Sequence, residues 1–277
     1  MRTEGVGRRM TDGGPCRVLC RCPSCVSHHF EIMHRFFVNP QQITHRVVRF
    51  DDDQARQMRR VLRLRPGDLV LALDGLGRQY EVTLDEVTHA GAIGHATLPT
   101  EATGEPSVRL TLCQSLLRRE KFEWVLQKGT EIGVTAFVPV ITRRSLVRDV
   151  EDVTSEKLSR WRRIIKEAAE QCGRGKLPSL ASPIELAAAA PQARAAGIAL
   201  IAWEGESRRL VRNALDGREA VRDVILFIGP EGGYEPDEIL AAESWGAVPV
   251  SLGRRILRTE TAAVVGAALV LHELGEL

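Results

Sequence analysis

From residue 108 onward the sequence alternates short apolar runs with segments whose apolar residues recur three and four apart. The runs Ile198–Ala202, 224–228 and 248–251 are rich in Ile and Val and lack strict polar alternation. Such strands need cover on both faces, which parallel sheets in α/β folds supply. Further strands are expected at 108–113 and Ala136–Ile141. Between them, Phe122, Val125, Leu126 and Gly129 predict one helix, and Leu158, Trp161, Ile165, Ala168 and Cys172 share one face of a long helix over Ser155–Cys172. A last helix is expected over 261–273. This half of the chain reads as an α/β unit with helices packed on a parallel sheet.

The region before it reads differently. Arg46-Val47-Val48-Arg49-Phe50, Asp68-Leu69-Val70-Leu71-Ala72-Leu73 and Tyr80-Glu81-Val82-Thr83-Leu84 are strand signals. Asp74-Gly75 marks a hairpin between the last two. One short helix is expected over 53–62, and several short strands suggest a small barrel. Thr103-Gly104-Glu105-Pro106 breaks the pattern and reads as a linker. The expected organisation is an extension over 1–32, a barrel over 33–104 and the α/β unit over 105–277.

The extension holds four of the six cysteines: Cys16, Cys20, Cys22 and Cys25, with His28 and His29 nearby. These are enough ligands for zinc, but the spacing lacks two Cys-x2-Cys halves. The simpler expectation is a disordered extension, or a start codon placed too far upstream of Met33. Only Cys113 and Cys172 serve the rest, which argues against a disulfide framework and for a reducing compartment. No signal-peptide core opens the chain, and the longest apolar run, 262–271, is too short to span a bilayer. A soluble, cytoplasmic protein is expected.

The usual α/β fingerprints are missing. No G-x-G-x-x-G opens a helix, no nucleophile elbow is present, and Gly173-Arg174-Gly175-Lys176 is only a fragment of a phosphate loop. Ile228-Gly229-Pro230-Glu231-Gly232-Gly233 sits where a buried strand ends. It is either a tight strand-to-helix turn or a loop that lets a planar ligand approach the main chain. Glu235-Pro236-Asp237-Glu238 then opens a helix. Leu252-Gly253-Arg254-Arg255-Ile256-Leu257-Arg258-Thr259-Glu260-Thr261-Ala262 follows the next strand, and Thr259 or Thr261 can cap the helix after it. It is either a solvated basic loop or a second ligand loop. Two such loops at neighbouring strand ends match the rule that open α/β sheets bind ligands there.

Charge is concentrated although the net value is only +2. Residues 118–176 carry fourteen Lys/Arg against nine Asp/Glu, and 54–65 carry Arg56, Arg59, Arg60, Arg63 and Arg65 without an acid. Such patches suit a phosphate backbone, while Arg162-Arg163 reads equally as a solvated helix face. Aromatic residues make up 5% of the chain, too few for a broad base-stacking sheet.

The two ligand-loop motifs together resemble the C-terminal signature of the ribosomal RNA small subunit methyltransferase E family of the SPOUT superfamily. His34-Arg35-Phe36-Phe37-Val38, Arg60-Val61-Leu62-Arg63 with Pro66-Gly67-Asp68, and Lys128-Gly129-Thr130-Glu131-Ile132-Gly133-Val134 are similar to further family motifs. Arg160-Trp161, Glu167-Ala168, Glu170-Gln171 and Arg174 with Pro178 match its central helix, while Gln57, Gly129 and Cys172 depart from the commoner residues. The resemblance implies a PUA-like β-barrel, then a SPOUT domain whose parallel sheet carries a deep trefoil knot, a topology that general fold rules disfavour. It implies a homodimer, S-adenosylmethionine as cofactor, and methylation of N3 of one uridine near the 3′ end of 16S rRNA within the small subunit. A non-catalytic rRNA-binding or assembly factor, or a SPOUT enzyme with another RNA target, are the competing readings.

Cofactor contacts are then expected from Gly229, Pro230, Glu231, Gly232 and Gly233, with Leu252, Gly253, Ile256, Leu257 and Thr261. Ala202, Trp203 and Glu204 form a third wall, unless Trp203 is plain core. A sulfonium methyl is already electrophilic, so no metal is expected. Arg258 is the candidate to stabilise a uridine anion, and Glu260 is either the base or a helix-capping or ion-paired residue. RNA contacts are expected from Arg35, Arg59, Arg60, Arg63, Arg118, Lys121, Lys128 and Arg174.

Overall fold

The computed structural model describes residues 33–146, 149 and 153–277. The cysteine cluster of residues 16–25 and its histidines lie outside the described residues.

Two sheets are built in succession. The first contains β1 (His34–Phe37), β2 (Ile43–Thr44), β3 (Val47–Phe50), β4 (Leu69–Leu73), β5 (Arg78–Val87), β6 (Ala92–Ala96) and β7 (Thr100–Glu101). Its strand order is β1-β4-β5-β6-β3-β2, with β7 on β5, and every pairing is antiparallel except β1 with β4. Alternation does the sorting: Val48 and Phe50 are buried while Arg49 between them is exposed. Phe36 meets Phe50 edge to face at 5.8 Å, over a core that includes Met58, Val70, Val82 and Leu84. At the β4–β5 turn the Asp74 carboxylate accepts the N–H groups of Leu76 and Arg78 at 2.8 and 3.0 Å, and Gly75 takes φ +72°.

The helix expected over 53–62 is α1 (Asp52–Gln57) followed by a wider turn over Met58–Leu62. Asp51 and Gln54 cap it reciprocally. Arg60 and Arg63 are exposed there, whereas Arg59 is half-buried with its Nη1 2.7 Å from His89 Nε2.

The second sheet contains β8 (Arg109–Ser115), β9 (Ala136–Ile141), β10 (Ser179–Leu180), β11 (Ile184–Glu185), β12 (Ile198–Ala202), β13 (Asp223–Ile228) and β14 (Ala247–Val250). The order is β10-β9-β8-β13-β12-β14, with β11 on β9, and every pairing is parallel. Its helices are α2 (Arg119–Ile132), α3 (Ser155–Cys172), α4 (Ala190–Ala195), α5 (Val211–Leu215), α6 (Pro236–Ser244) and α7 (Thr259–Glu273). Val224, Leu226 and Ile228 of β13 pack in the core under α2, α3, α5 and α7, while Ile225 and Phe227 face the opposite core with α4 and α6. Cover on both faces is why these strands carry no polar alternation. No helix among the described residues is long and apolar enough to cross a membrane.

The two sheets are stitched by polar contacts. Phe37 N–H donates to Glu170 Oε1 of α3 at 2.8 Å, and burial pushes the Glu170 carboxyl above its usual range. Arg174, just beyond α3, is 3% exposed. Its guanidinium donates to the carbonyls of Thr130 and Val134 at 3.2 and 2.6 Å and to Glu105 Oε2 at 3.0 Å. Glu105 Oε1 also accepts Lys176 N–H at 2.9 Å. The expected linker is therefore pinned, and the expectation that Arg174 contacts RNA is corrected: its donors are spent on the protein's own carbonyls and carboxylate. Arg35 lies against this corner, since a side chain at Gly173 would come within 3.3 Å of its guanidinium carbon.

Arg174→Ala leaves the Glu105 carboxylate and two carbonyls without their donor. We expect a loss of about 3–5 kcal/mol of unfolding free energy in urea titrations.

Candidate active site

Three adjacent strands, β13, β12 and β14, end on the same edge, and the loops that follow them enclose a cavity of about 1010 Å³. The topology itself provides this site, because β12 connects to β13 on one side and β13 connects to β14 on the other.

The loop after β13 needs its glycines. Gly233 has φ +69°, and a Cβ there would sit 2.2 Å from Glu204 Oε1. A Cβ on Gly229 would press the Tyr234 ring at 3.0 Å. Tyr234 is buried behind the loop, and burial pushes its hydroxyl well above the ordinary phenol range. The turn after β9 grips the loop from outside. Arg144 donates to the Gly232 carbonyl at 2.8 Å and to both Glu235 carboxylate oxygens at 2.8 and 3.0 Å. That hydrogen-bonded pairing lowers the Glu235 carboxyl and raises the Arg144 guanidinium.

The loop after β12 folds back on β14. Trp203 N–H donates to Val250 O at 3.1 Å and Ser251 N–H to Arg209 O at 2.8 Å. The Glu206 carboxylate accepts the N–H groups of Arg208 and Arg209 at 2.6 and 3.0 Å, which holds it below its usual range. Trp203 is half-buried; it both packs on the core and lines the cavity. The loop after β14 turns at Gly253, φ +126°, and leaves Ile256 90% exposed at the rim.

Helix α7 starts at Thr259, two residues earlier than expected, and Thr259 is not its side-chain cap. The Thr259 hydroxyl instead donates to the Gly229 carbonyl and accepts Gln114 Nε2 at 3.2 Å. Gln114 Nε2 also donates to Ser115 O at 3.0 Å. Gln114 and Thr259 are 1% and 7% exposed, so these bonds are shielded from water. They tie the end of β8, the glycine loop and the first turn of α7 into one unit.

Arg258 and Glu260 flank Thr259, and both line the cavity. Arg258 is exposed; the Glu260 side chain is only 16% exposed. Lys121, from the first turn of α2, places its Nζ 3.3 Å from Glu231 Oε1 and 3.6 Å from Glu260 Oε2.

The expected ligand residues Ala202, Trp203, Gly229, Pro230, Glu231, Gly232, Gly233, Leu252, Gly253, Ile256 and Leu257 converge on this one cavity. Thr261, half-buried in the first turn of α7, is not among the residues that line it. Of the expected RNA contacts, only Lys121 reaches the cavity. Arg118 is exposed at the start of α2, and Lys128 is held by Glu131 at 2.8 Å. Glu204 lines the cavity with Ala202 and Trp203, as expected, whereas sequence reasoning missed Glu206, Arg208 and Thr259. Glu206 and Arg208 lie just beyond that wall, but their role depends on pairing with β14, which leaves no local signal.

Residues 104–271 match the RNA methyltransferase domain family. The ribosomal RNA small subunit methyltransferase E of Synechocystis sp. is 34% identical over 249 residues, covering 88% of this chain and 79% of that protein. The Mycobacterium tuberculosis protein of the same name is 30% identical over 241 residues, covering 85% and 90%. Among solved structures, a Legionella pneumophila methyltransferase in complex with its bound cofactor SAM superposes with a TM-score of 0.79 at 28% identity, covering 87% of this chain and 97% of that one. A Neisseria gonorrhoeae ribosomal RNA small subunit methyltransferase E bound to S-adenosyl methionine gives 0.74 at 28% identity, with the same coverage.

Thr259→Val keeps the shape of the side chain and removes both of its hydrogen bonds. Unfolding free energy should fall by about 1–3 kcal/mol, with Thr259→Ser retaining most of it, as measured by denaturant titration.

Proposed function

Since the chain belongs to the ribosomal RNA small subunit methyltransferase E family of RNA methyltransferases, we propose that it transfers a methyl group from S-adenosylmethionine to N3 of one uridine near the 3′ end of 16S rRNA, in the decoding region. The observation that carries this reading is the union of the glycine loop and the arginine loop in one cavity, locked by Thr259.

The residues present suit that cofactor. The volume is of the size that encloses a nucleoside joined to an amino acid. Gly229, Gly232 and Gly233 present main chain to the cavity. Glu204, Glu231 and Glu260 line the cavity and suit a ligand with two cationic centres. Backbone groups of Gly229, Gly232, Leu252 and Gly253 would hold it, with Trp203 and Ile256 as apolar walls. When bound, the cofactor supplies a sulfonium-activated methyl group.

The protein's own task is the nucleophile, because uridine N3 carries a proton at neutral pH. Glu260 accepts that proton, and Arg258 stabilises the negative charge left on the ring. Arg258 sits at the N-terminus of α7, where unpaired N–H groups add to the positive field. The uridine must leave its stack to present N3, which favours an irregular rRNA region.

The first sheet serves as a PUA-like RNA-binding barrel over 33–104, with Arg60 and Arg63 exposed on it. Residues 105–277 form the SPOUT domain, and the strand order β8-β13-β12-β14 supports a trefoil-knotted crossing. A homodimer is supported by α7, which is apolar on all faces yet leaves Val264, Val265 and Ala268 half-exposed. The protein acts in the cytoplasm on rRNA of the small subunit.

The test is transfer of labelled methyl from S-adenosylmethionine to 16S rRNA and to small subunits, followed by mapping. One N3-methyluridine near the 3′ end is expected; no label, or label on another atom, refutes the reading. Arg258→Ala should slow transfer at least about 100-fold. Its cofactor affinity by calorimetry should stay within about twofold of wild type, since this exposed side chain is assigned to the uridine rather than the cofactor.

A further inference from the structure

Lys121 belongs to none of the three loops that build the cavity, yet its ammonium reaches into it from α2. The ammonium is shared. It donates to Glu231 of the glycine loop at 3.3 Å and stands 3.6 Å from Glu260 at the start of α7. Glu260 Oε2 is buried and accepts no hydrogen bond among the described residues, and the Lys121 ammonium is the cation beside it. A carboxylate oxygen left without donors, next to a cation held by a second carboxylate, forms a pair that can redistribute charge without moving the backbone.

Uridine N3 lies between two carbonyl groups, so losing its proton spreads negative charge onto both ring oxygens. We propose that Lys121 is a catalytic residue of the methyl transfer: as Glu260 takes the N3 proton, the Lys121 ammonium passes from Glu260 to a uridine ring oxygen and stabilises the anion. The inference rests on the function proposed above and adds a group to it. The N3–H bond breaks, its electron pair remains on N3, and the proton binds the Glu260 carboxylate. The combined charge of uracil, Glu260 and Lys121 is the same before and after. Glu231 keeps one hydrogen bond to the ammonium throughout and limits its travel, while Arg258 is the second cation facing the ring. In a dry, preorganised site each such donor contributes on the order of 100-fold to the rate.

A simple phosphate contact would behave differently. Losing it would weaken RNA binding, reduce the salt dependence by about one counterion, and leave the rate at saturating RNA unchanged. The discriminating probe is a 16S rRNA 3′ fragment with 5-fluorouridine at the mapped methylation site, because the fluorine makes N3 more acidic and reports its ionisation by ¹⁹F NMR. In complex with the full-length protein, without cofactor, the wild type should lower the N3 ionisation midpoint relative to free RNA. Lys121→Gln should lose most of that shift and Lys121→Arg should retain part of it. With cofactor and ordinary uridine, Lys121→Gln should be about 100-fold slower in single turnover at saturating RNA, and 5-fluorouridine should restore much of the loss. Lys121→Arg keeps a cation beside the buried Glu260 carboxylate and so controls for any loss of stability in Lys121→Gln. An identical midpoint in wild type and Lys121→Gln, an unchanged single-turnover rate, or an equal loss with both bases overturns the assignment. A wild type that transfers no methyl to uridine N3 overturns the functional reading, and this inference with it.

Discussion

One buried hydroxyl organises the working end of the molecule. Thr259 donates to the Gly229 carbonyl and accepts from Gln114, and each partner belongs to a different element. Gly229 opens the glycine loop, Gln114 is the penultimate residue of β8, and Thr259 begins α7 with Arg258 and Glu260 on either side of it. A hydrogen-bonded link shielded from water is expensive to break and hard to distort. The spacing between the ligand loop and the charged residues is therefore set by the interior of the sheet rather than by mobile loop side chains. This is the arrangement a methyl transfer needs, since small errors in the distance between reacting groups are costly.

Around that anchor the loops are shaped largely by what is missing. Gly229 and Gly233 leave no room for a Cβ because Tyr234 and Glu204 already occupy the space. Arg144 then holds the outside of the same loop through the Gly232 carbonyl and Glu235. Charge is handled in the same economical way. Glu231 and Glu260 are bridged by Lys121, and Glu206 is spent on backbone N–H groups. Arg254, Arg255 and Arg258 are exposed at the mouth and form a cationic stretch of its rim.

The second organising contact joins the two sheets. Arg174 satisfies two carbonyls at the end of α2 and the carboxylate of Glu105 in the connecting segment. Glu170 reaches across to the backbone of β1. A segment that looks like a flexible linker by composition is thus held in place by a buried ion pair. Its specificity comes from geometry, since the desolvation of both charges offsets much of their attraction.

The sequence by itself determined several elements of the α/β half almost to the residue. Ala136–Ile141, Ser155–Cys172 and Ile198–Ala202 are where apolar periodicity puts them, because a strand buried on both faces or a one-sided helix leaves a local pattern. The glycine and arginine loops were equally legible, since turns demand particular residue types. The sequence could not show that Thr259 bonds to Gly229 thirty residues away instead of capping its own helix. It also misled on Arg174, whose charge suggests a phosphate while its burial assigns it to Glu105. Lys121 was read as an RNA contact, and only the packing of α2 beside α7 brings it to Glu231 and Glu260. Local periodicity and turn chemistry are written in neighbouring residues. The partner of a polar side chain is decided by which distant strand ends lie side by side, and that is known only once the sheet has formed.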